Sequence, residues 1–144
     1  MPIDQLLRFT PEKYDLLVRR AKECNLNMLC PWGAGLVELD EFYEKCDEYG
    51  VMVWQEFPMA DGWYQNSSMD AWRETVRTNV LRIRNHPSLA MLCGGNEFDP
   101  DCVENRDIVN EMRDIFTELV PEIEFHRACP YGGDGHSYNV NWGA

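Results

Sequence analysis

Apolar positions along the chain follow two alternating periods. Behind Thr10-Pro11, an N-cap and a first-position proline, Tyr14, Leu17, Val18 and Ala21 recur at helical spacing and predict a helix over 10–24, stopped at Asn25. A short apolar run over 26–29 then reads as a strand. Phe42, Tyr43 and Cys46 make the apolar face of a second helix over 39–49, and Gly50 ends it. Val51-Met52-Val53-Trp54 is rich in strand formers, and a loop over 59–68 follows. Trp72, Val76, Val80 and Ile83 stripe a third helix over 68–85, with Arg73, Arg77, Arg82 and Arg84 on its wet face and His86-Pro87 as its break. Leu89-Ala90-Met91-Leu92 is the third strand. Ile108, Met112, Ile115 and Phe116 predict a fourth helix over 105–119, stopped by Pro121, before a fourth strand over 123–128.

Strict alternation of helix and strand with short joints predicts an α/β fold on a parallel sheet. The strands are apolar along their length, as strands covered on both faces are. Each then runs into polar, aromatic or glycine residues: CPWGAG, WQEFP, GGNEFDP and PYGGDGHSYN. In a parallel α/β fold these carboxyl ends gather on one face, where barrels hold their active sites and open sheets their ligand crevices.

Composition narrows the classes. The chain has 144 residues, 44% of them hydrophobic, enough for one cored domain. A formal net charge of −12, spread along amphipathic segments, speaks against nucleic-acid partners. No apolar run approaches the roughly 20 residues of a membrane helix, and MPIDQLLRF is unlike a signal peptide. The compartment stays open. Cys24, Cys30, Cys46, Cys93, Cys102 and Cys129 include no C-x-x-C pair and read as reduced, packed thiols. A minor alternative uses Cys30, Cys93 and Cys129, with His126 close by, in a metal or redox site.

At the tip of the third strand Asn96 and Glu97 stand side by side after Gly94-Gly95. A carboxylic acid there can exchange protons, and an amide can donate to and accept from a hydroxyl-rich ligand. Trp32, Trp54, Trp63 and Tyr131 could stack on a sugar ring. The bland alternative makes Glu97 a loop cap and the tryptophans core. Glu56 is a second acid on the same face; with Glu97 it forms the obvious pair for glycoside hydrolysis within the chain, unless it is a buried acid that orients an amide or hydroxyl.

The strings WGAGLVELDEFYEKCDEYGVMVWQEF and RIRNHPSLAMLCGGNEFD resemble the catalytic barrel of glycoside hydrolase family 2, in its β-mannosidase-like branch. The resemblance runs over nearly all of the chain and weakens before Thr10. It implies that 1–144 is a fragment of a (β/α)8 TIM barrel, about strands two to five with their helices, from a retaining exo-β-glycosidase that needs no cofactor and no metal. The missing barrel half and flanking β-sandwich domains would belong to the parent chain, and this piece alone would be inactive. By the same resemblance Glu97 is the general acid/base, Asn96 binds the hydroxyl beside the anomeric carbon, and Trp32 lines the sugar subsite. His136, in GDGHSYN, reaches the site, and Trp54 lies in a strand that the family shares. The nucleophile is another Glu on a later strand, which demotes Glu56. The implied ligand is a carbohydrate, a β-mannoside or related β-glycoside. One departure stands out. The family has Arg-Val before Trp-Gly, its Arg supporting the nucleophile, where this chain has Cys30-Pro31, and a proline there would remove a donor from a central strand. A catalytically dead carbohydrate-binding or scaffold protein of the same fold is the alternative.

Overall fold

The computed structural model describes residues 9–64, 68–133 and 135–136. Helix and strand alternate as α1 (Pro11–Glu23), β1 (Met28–Leu29), α2 (Asp40–Tyr49), β2 (Met52–Glu56), α3 (Met69–Ile83), β3 (Leu89–Cys93), α4 (Arg106–Leu119) and β4 (Glu124–His126). The four strands are parallel and lie in chain order, β1-β2-β3-β4. The helices follow suit: α1 packs on α2, α2 on α3 and α3 on α4. Neither strand order nor helix order reverses, so the sheet has no switch point of the doubly wound kind.

Local chemistry sets the helix ends. The Thr10 side chain accepts from the Lys13 N–H at 3.3 Å, opening α1. At its far end Asn25 takes a φ of 59°, and the N–H groups of Asn25 and Leu26 return to the carbonyls of Lys22 and Ala21, both at 2.9 Å. This is a Schellman closure. It uses Leu26, which the apolar run assigned to a strand, and β1 is therefore only Met28–Leu29. Pairing of β1 with β2 stops at Leu29 and Val53. Pro31 lies beyond it and removes no ladder donor, contrary to the expectation for a central-strand proline. The last strand is also shorter than its apolar run, because the Ile123 N–H turns back to Val120 O at 3.0 Å.

The core lies between the helix layer and the sheet. Tyr14 and Val18 of α1, Phe42, Tyr43 and Cys46 of α2, Val76, Val80 and Ile83 of α3, and Met112 and Phe116 of α4 meet Val53 and Leu92 of the central strands. Alternation along β2 sorts its side chains. Val53 is in the core, and Gln55, fully buried, accepts from the Tyr43 hydroxyl of α2. Trp54 and Glu56 take the opposite face, where Trp54 meets the His126 ring edge-on at 5.3 Å between centroids.

Three arginines of the wet face also join helices. Arg73 and Arg77 of α3 reach Glu111 and Glu118 of α4, each at 2.7 Å, and Arg82 reaches Asp40 of α2 at 2.6 Å. Two of these make two-pronged contacts with their carboxylates. Solvent screens half-exposed pairs of this kind, so each adds little and the core does most of the holding.

Asp47 makes a two-pronged polar tie in the layer. One oxygen accepts the Ser88 N–H at 2.9 Å, and the other lies 2.6 Å from His86 Nδ1, so α2 grips the turn that starts β3. Burial pushes the Asp47 pKa up, but hydrogen bonding by Ser88 and His86 overrules it and the carboxyl stays below its ordinary value. A depressed folded-state pKa gives stability that is present above the unfolded value and is lost as pH falls through the folded one. Asp47→Ala is expected to cost roughly 1–3 kcal/mol in urea unfolding at neutral pH. The gap between variant and wild type should close in acid, and a gap that stays constant down to pH about 2 would contradict the linkage.

Among the described residues no helix is long and apolar enough to cross a membrane.

Candidate active site

The tip of β3 is held from both sides. The Asn96 N–H donates to Met59 O at 2.8 Å, beyond β2, and Asn96 O accepts the Asp61 N–H at 3.1 Å. The Glu97 N–H donates to Cys129 O at 2.6 Å, beyond β4. Asn96 thus bridges Ala60 on one side and Cys129 on the other. Gly95 makes this possible. Its φ is 149°, and a Cβ there would stand 2.2 Å from Met59 O. Glu97 follows with a φ of 49°, a left-handed position that a non-glycine residue occupies at some cost and that sites commonly contain.

A cleft of about 400 Å³ opens at this end of the sheet. Trp32, Trp54, Asn96 and His136 line it, together with Cys30, Glu56 and Cys129. Five residues singled out in the sequence, Glu56 among them, therefore share one cavity, whereas Trp63 and Tyr131 do not line it. Glu97 does not line it. Its Oε1 lies 2.6 Å from Nδ1 of His136, which does, and the residue lines a second cleft of about 440 Å³ with Asp61, Asp99 and Tyr131 in the wall. Glu97 keeps its side chain 35% exposed, open enough to meet a ligand, whereas Asn96 is almost closed off.

Glu56 ends β2 and is 3% exposed. Burial pushes its pKa up; the Gly33 N–H, at 2.6 Å from Oε2, and the thiols of Cys30 and Cys129 pull the other way by hydrogen bonding, and the net direction is upward. In this position it orients a backbone amide of the Trp32-Gly33 turn. A carboxyl with a raised folded-state pKa stabilises the fold fully below its unfolded pKa, and that contribution fades as pH rises through the folded value. Glu56→Gln removes a buried charge and keeps an acceptor for Gly33. It is expected to raise Tm by roughly 2–5 °C at pH about 8, with the gain shrinking toward pH about 4. Calorimetry at both values checks it, and a gain of equal size at both would refute the assignment.

Two loops are tied down beside the site by residues that sequence reading passed over. Asn105, fully buried, does not cap α4. Its amide donates to Gly62 O and Asp99 O, both at 3.0 Å, and accepts the Tyr64 N–H at 3.0 Å. Arg127 donates to Asp101 at 2.7 Å and to Pro100 O at 3.1 Å, while the Tyr131 hydroxyl takes the other Asp101 oxygen at 2.8 Å. Only the mixed polarity of GNEFDPD could have signalled such anchors in the sequence.

The metal alternative fails on this geometry. Among the described residues no group of three or more His, Cys, Asp or Glu could hold a metal ion. The Cys93 thiol points at Gly95 O at 3.5 Å, and burial, with Glu56 close by, pushes the Cys30 thiol far up. No disulfide joins any of the six cysteines.

A parallel α/β segment collects an amide, two acids, a histidine and two tryptophans at the carboxyl ends of its strands, the end of the sheet where such folds gather their ligands. Similar proteins narrow that class. No family model matches the chain. Over 92 residues it is 42% identical to the β-mannosidase of Capra hircus, covering 62% of this chain and 10% of that protein. Over 124 residues it is 40% identical to the β-mannosidase of Rattus norvegicus, covering 81% and 14%. Among solved structures, β-D-mannosidase from Dictyoglomus thermophilum superposes with a TM-score of 0.78 at 34% identity, over 88% of this chain and 17% of the other. The chain is β-mannosidase-like, and it spans between about a tenth and a fifth of the length of the relatives that it matches.

Proposed function

We propose that the protein carrying this chain is a retaining exo-β-glycosidase that hydrolyses terminal β-mannosides, with Glu97 as its general acid/base. The observation that carries this reading is the seat of Glu97: a half-open carboxyl at the tip of a parallel strand, held by His136 beside a cleft with two tryptophans and an amide. The four strands in chain order then stand for strands two to five of a (β/α)8 barrel, and residues 1–144 for part of its catalytic domain. In the first half-reaction Glu97 protonates the leaving oxygen while a carboxylate from elsewhere in the protein attacks the anomeric carbon. In the second Glu97 takes a proton from water, which displaces that carboxylate. Asn96 holds the hydroxyl next to the reacting carbon, Trp32 and Trp54 flank the ring, and His136 orients Glu97. Glu56 serves as support for the Trp32 turn. The remaining barrel strands, flanking β-sandwich domains and the nucleophile belong to this proposal as well, and Cys30-Pro31 stands where the family's nucleophile-supporting Arg-Val would be.

The test is hydrolysis of 4-nitrophenyl β-D-mannoside by the protein that carries this chain, beside the β-galactoside, β-glucuronide and β-N-acetylglucosaminide. The mannoside is expected to lead by roughly tenfold or more, since each misplaced hydroxyl leaves a polar group unpaired. Proton NMR of the first-formed product should show the β-anomer. Binding of mannosides without turnover, or release of the α-anomer, would sink the proposal.

A further inference from the structure

Cys129, His136 and Glu97 are joined through the two nitrogens of one imidazole. Cys129 Sγ lies 3.2 Å from His136 Nε2, and His136 Nδ1 lies 2.6 Å from Glu97 Oε1. An ionised carboxylate only accepts hydrogen bonds. With Glu97 in that form the ring proton sits on Nδ1, and Nε2 faces the thiol as an acceptor. A nucleophile, a base beside it and a third group that orients the base make the arrangement that activates a thiol. The backbone fixes both ends. The Cys129 N–H donates to Gly95 O at 2.9 Å, and Cys129 O accepts the Glu97 N–H at 2.6 Å. Cys129 and His136 also line the cleft of about 400 Å³, so a small molecule that enters it comes up against this pair.

We propose that Cys129 is an activated thiol and a site of covalent modification by soft carbon electrophiles such as α-halo amides, with His136 as its base and Glu97 holding the imidazole. The electrophile is the one co-reactant. As the carbon–sulfur bond forms, the thiol proton passes to Nε2 and halide leaves with the electron pair of its bond to carbon. The imidazolium, held at Nδ1 by Glu97, then gives its Nε2 proton to water. Glu56 lines the same cleft and, when ionised, opposes a thiolate; burial raises its pKa, which weakens that opposition. Arg127, two residues before Cys129, is taken up by Asp101 and Pro100 O, and His126 of β4 packs edge-on against Trp54. Cys30 is the natural comparison. It is exposed and lines the same cleft, but its thiol is directed at a carbonyl, Pro31 O at 4.0 Å, which takes no proton from it. A group on Sγ would stand in the cleft with Trp32, Trp54 and Asn96. That it would bar a sugar rests on the glycosidase reading; the reactivity of the thiol does not.

The experiment is differential labelling of the whole protein that carries this chain. Brief exposure to iodoacetamide at pH about 7.5, below the ordinary thiol pKa, favours a thiol with a base beside it. Remaining thiols are then labelled with the isotopically heavy reagent in urea. Mass spectrometry, with fragment ions to locate each cysteine, gives the rates at Cys129, Cys30 and Cys24. Access alone ranks Cys30 and Cys24, both exposed, ahead of the half-buried Cys129. The expected result is the reverse, with Cys129 fastest in the wild type, a ranking that needs no variant. His136→Gln keeps a polar side chain but no base, and is expected to slow Cys129 by at least about tenfold while Cys24 keeps its rate. A wild-type Cys129 slower than Cys30 or Cys24 overturns the proposal. So does an undiminished rate in His136→Gln, which would mean access without activation. The readout involves no sugar and no turnover. It can fail while Glu97 remains the acid/base of a glycosidase, and it can succeed in a protein that hydrolyses nothing.

Discussion

Glu97→Gln is expected to lower kcat for a mannosyl disaccharide by about 10²–10⁴-fold, the range for losing a general acid/base. Glutamine keeps the shape and the contact with His136 but has no proton to give. The loss should depend on the leaving group. A disaccharide leaves as a poor alkoxide and needs the proton in the first half-reaction. Nitrophenolate leaves well without one, so its first step is spared and the slow step becomes release of the enzyme-bound sugar by water. With the nitrophenyl substrate kcat and KM should then fall together, leaving kcat/KM little changed, whereas the disaccharide should lose kcat/KM in full. Steady-state kinetics on the two substrates decide it. Equal losses on both would say that Glu97 supports the site without moving the proton.

Gly95→Ala should have the largest effect on the fold. A Cβ at this position would stand 2.2 Å from Met59 O and 2.8 Å from Met59 Cβ, and the φ of 149° is one that side chains disfavour. Strain and overpacking together cost roughly 3–5 kcal/mol, a large share of the 5–15 kcal/mol that holds a typical domain. Relief would have to move backbone, because the atom in the way is a carbonyl oxygen. That oxygen accepts the Asn96 N–H, and Gly95 O accepts the Cys129 N–H, so the shift would carry Asn96 and Glu97 out of place. Gly132→Ala is the comparison: its φ is 66°, but a Cβ would meet nothing nearer than 4.0 Å, so its expected cost is the backbone's alone, about 1–2 kcal/mol. Urea unfolding of the two variants separates crowding from conformation. Similar losses would refute the close-approach argument.

Much of the architecture was legible because it is written locally. Thr10-Pro11, the Gly50 stop and the apolar stripes of the four helices depend on neighbours within a turn, and the structure has those helices within a few residues of where the pattern predicts them. Alternation of helix and strand carried the parallel sheet, and the polar strand ends carried the location of the site. Strand lengths were less legible. An apolar run cannot tell whether a residue such as Leu26 pairs in a sheet or closes a helix, since both bury it in part.

What the chain could not announce is which residues meet across long separations. The roles of Arg73, Arg77 and Arg82 turned on which carboxylates the neighbouring helices brought opposite them. Asn105, at the start of the fourth helix, became the tie between two loops because Gly62, Tyr64 and Asp99 came within its reach. Trp54 and Glu56 share a face of β2, but the string MVWQE carries no polar alternation that would mark it. Cys129 reads as one packed thiol among six, and only the parallel register of β3 and β4 sets it against His136. Sequence by itself determined the order of the elements and the end of the sheet where chemistry gathers, because those follow from short-range periodicity. Tertiary structure alone decided which acid is buried and which is open, because burial depends on register and close approach between strands far apart in the chain.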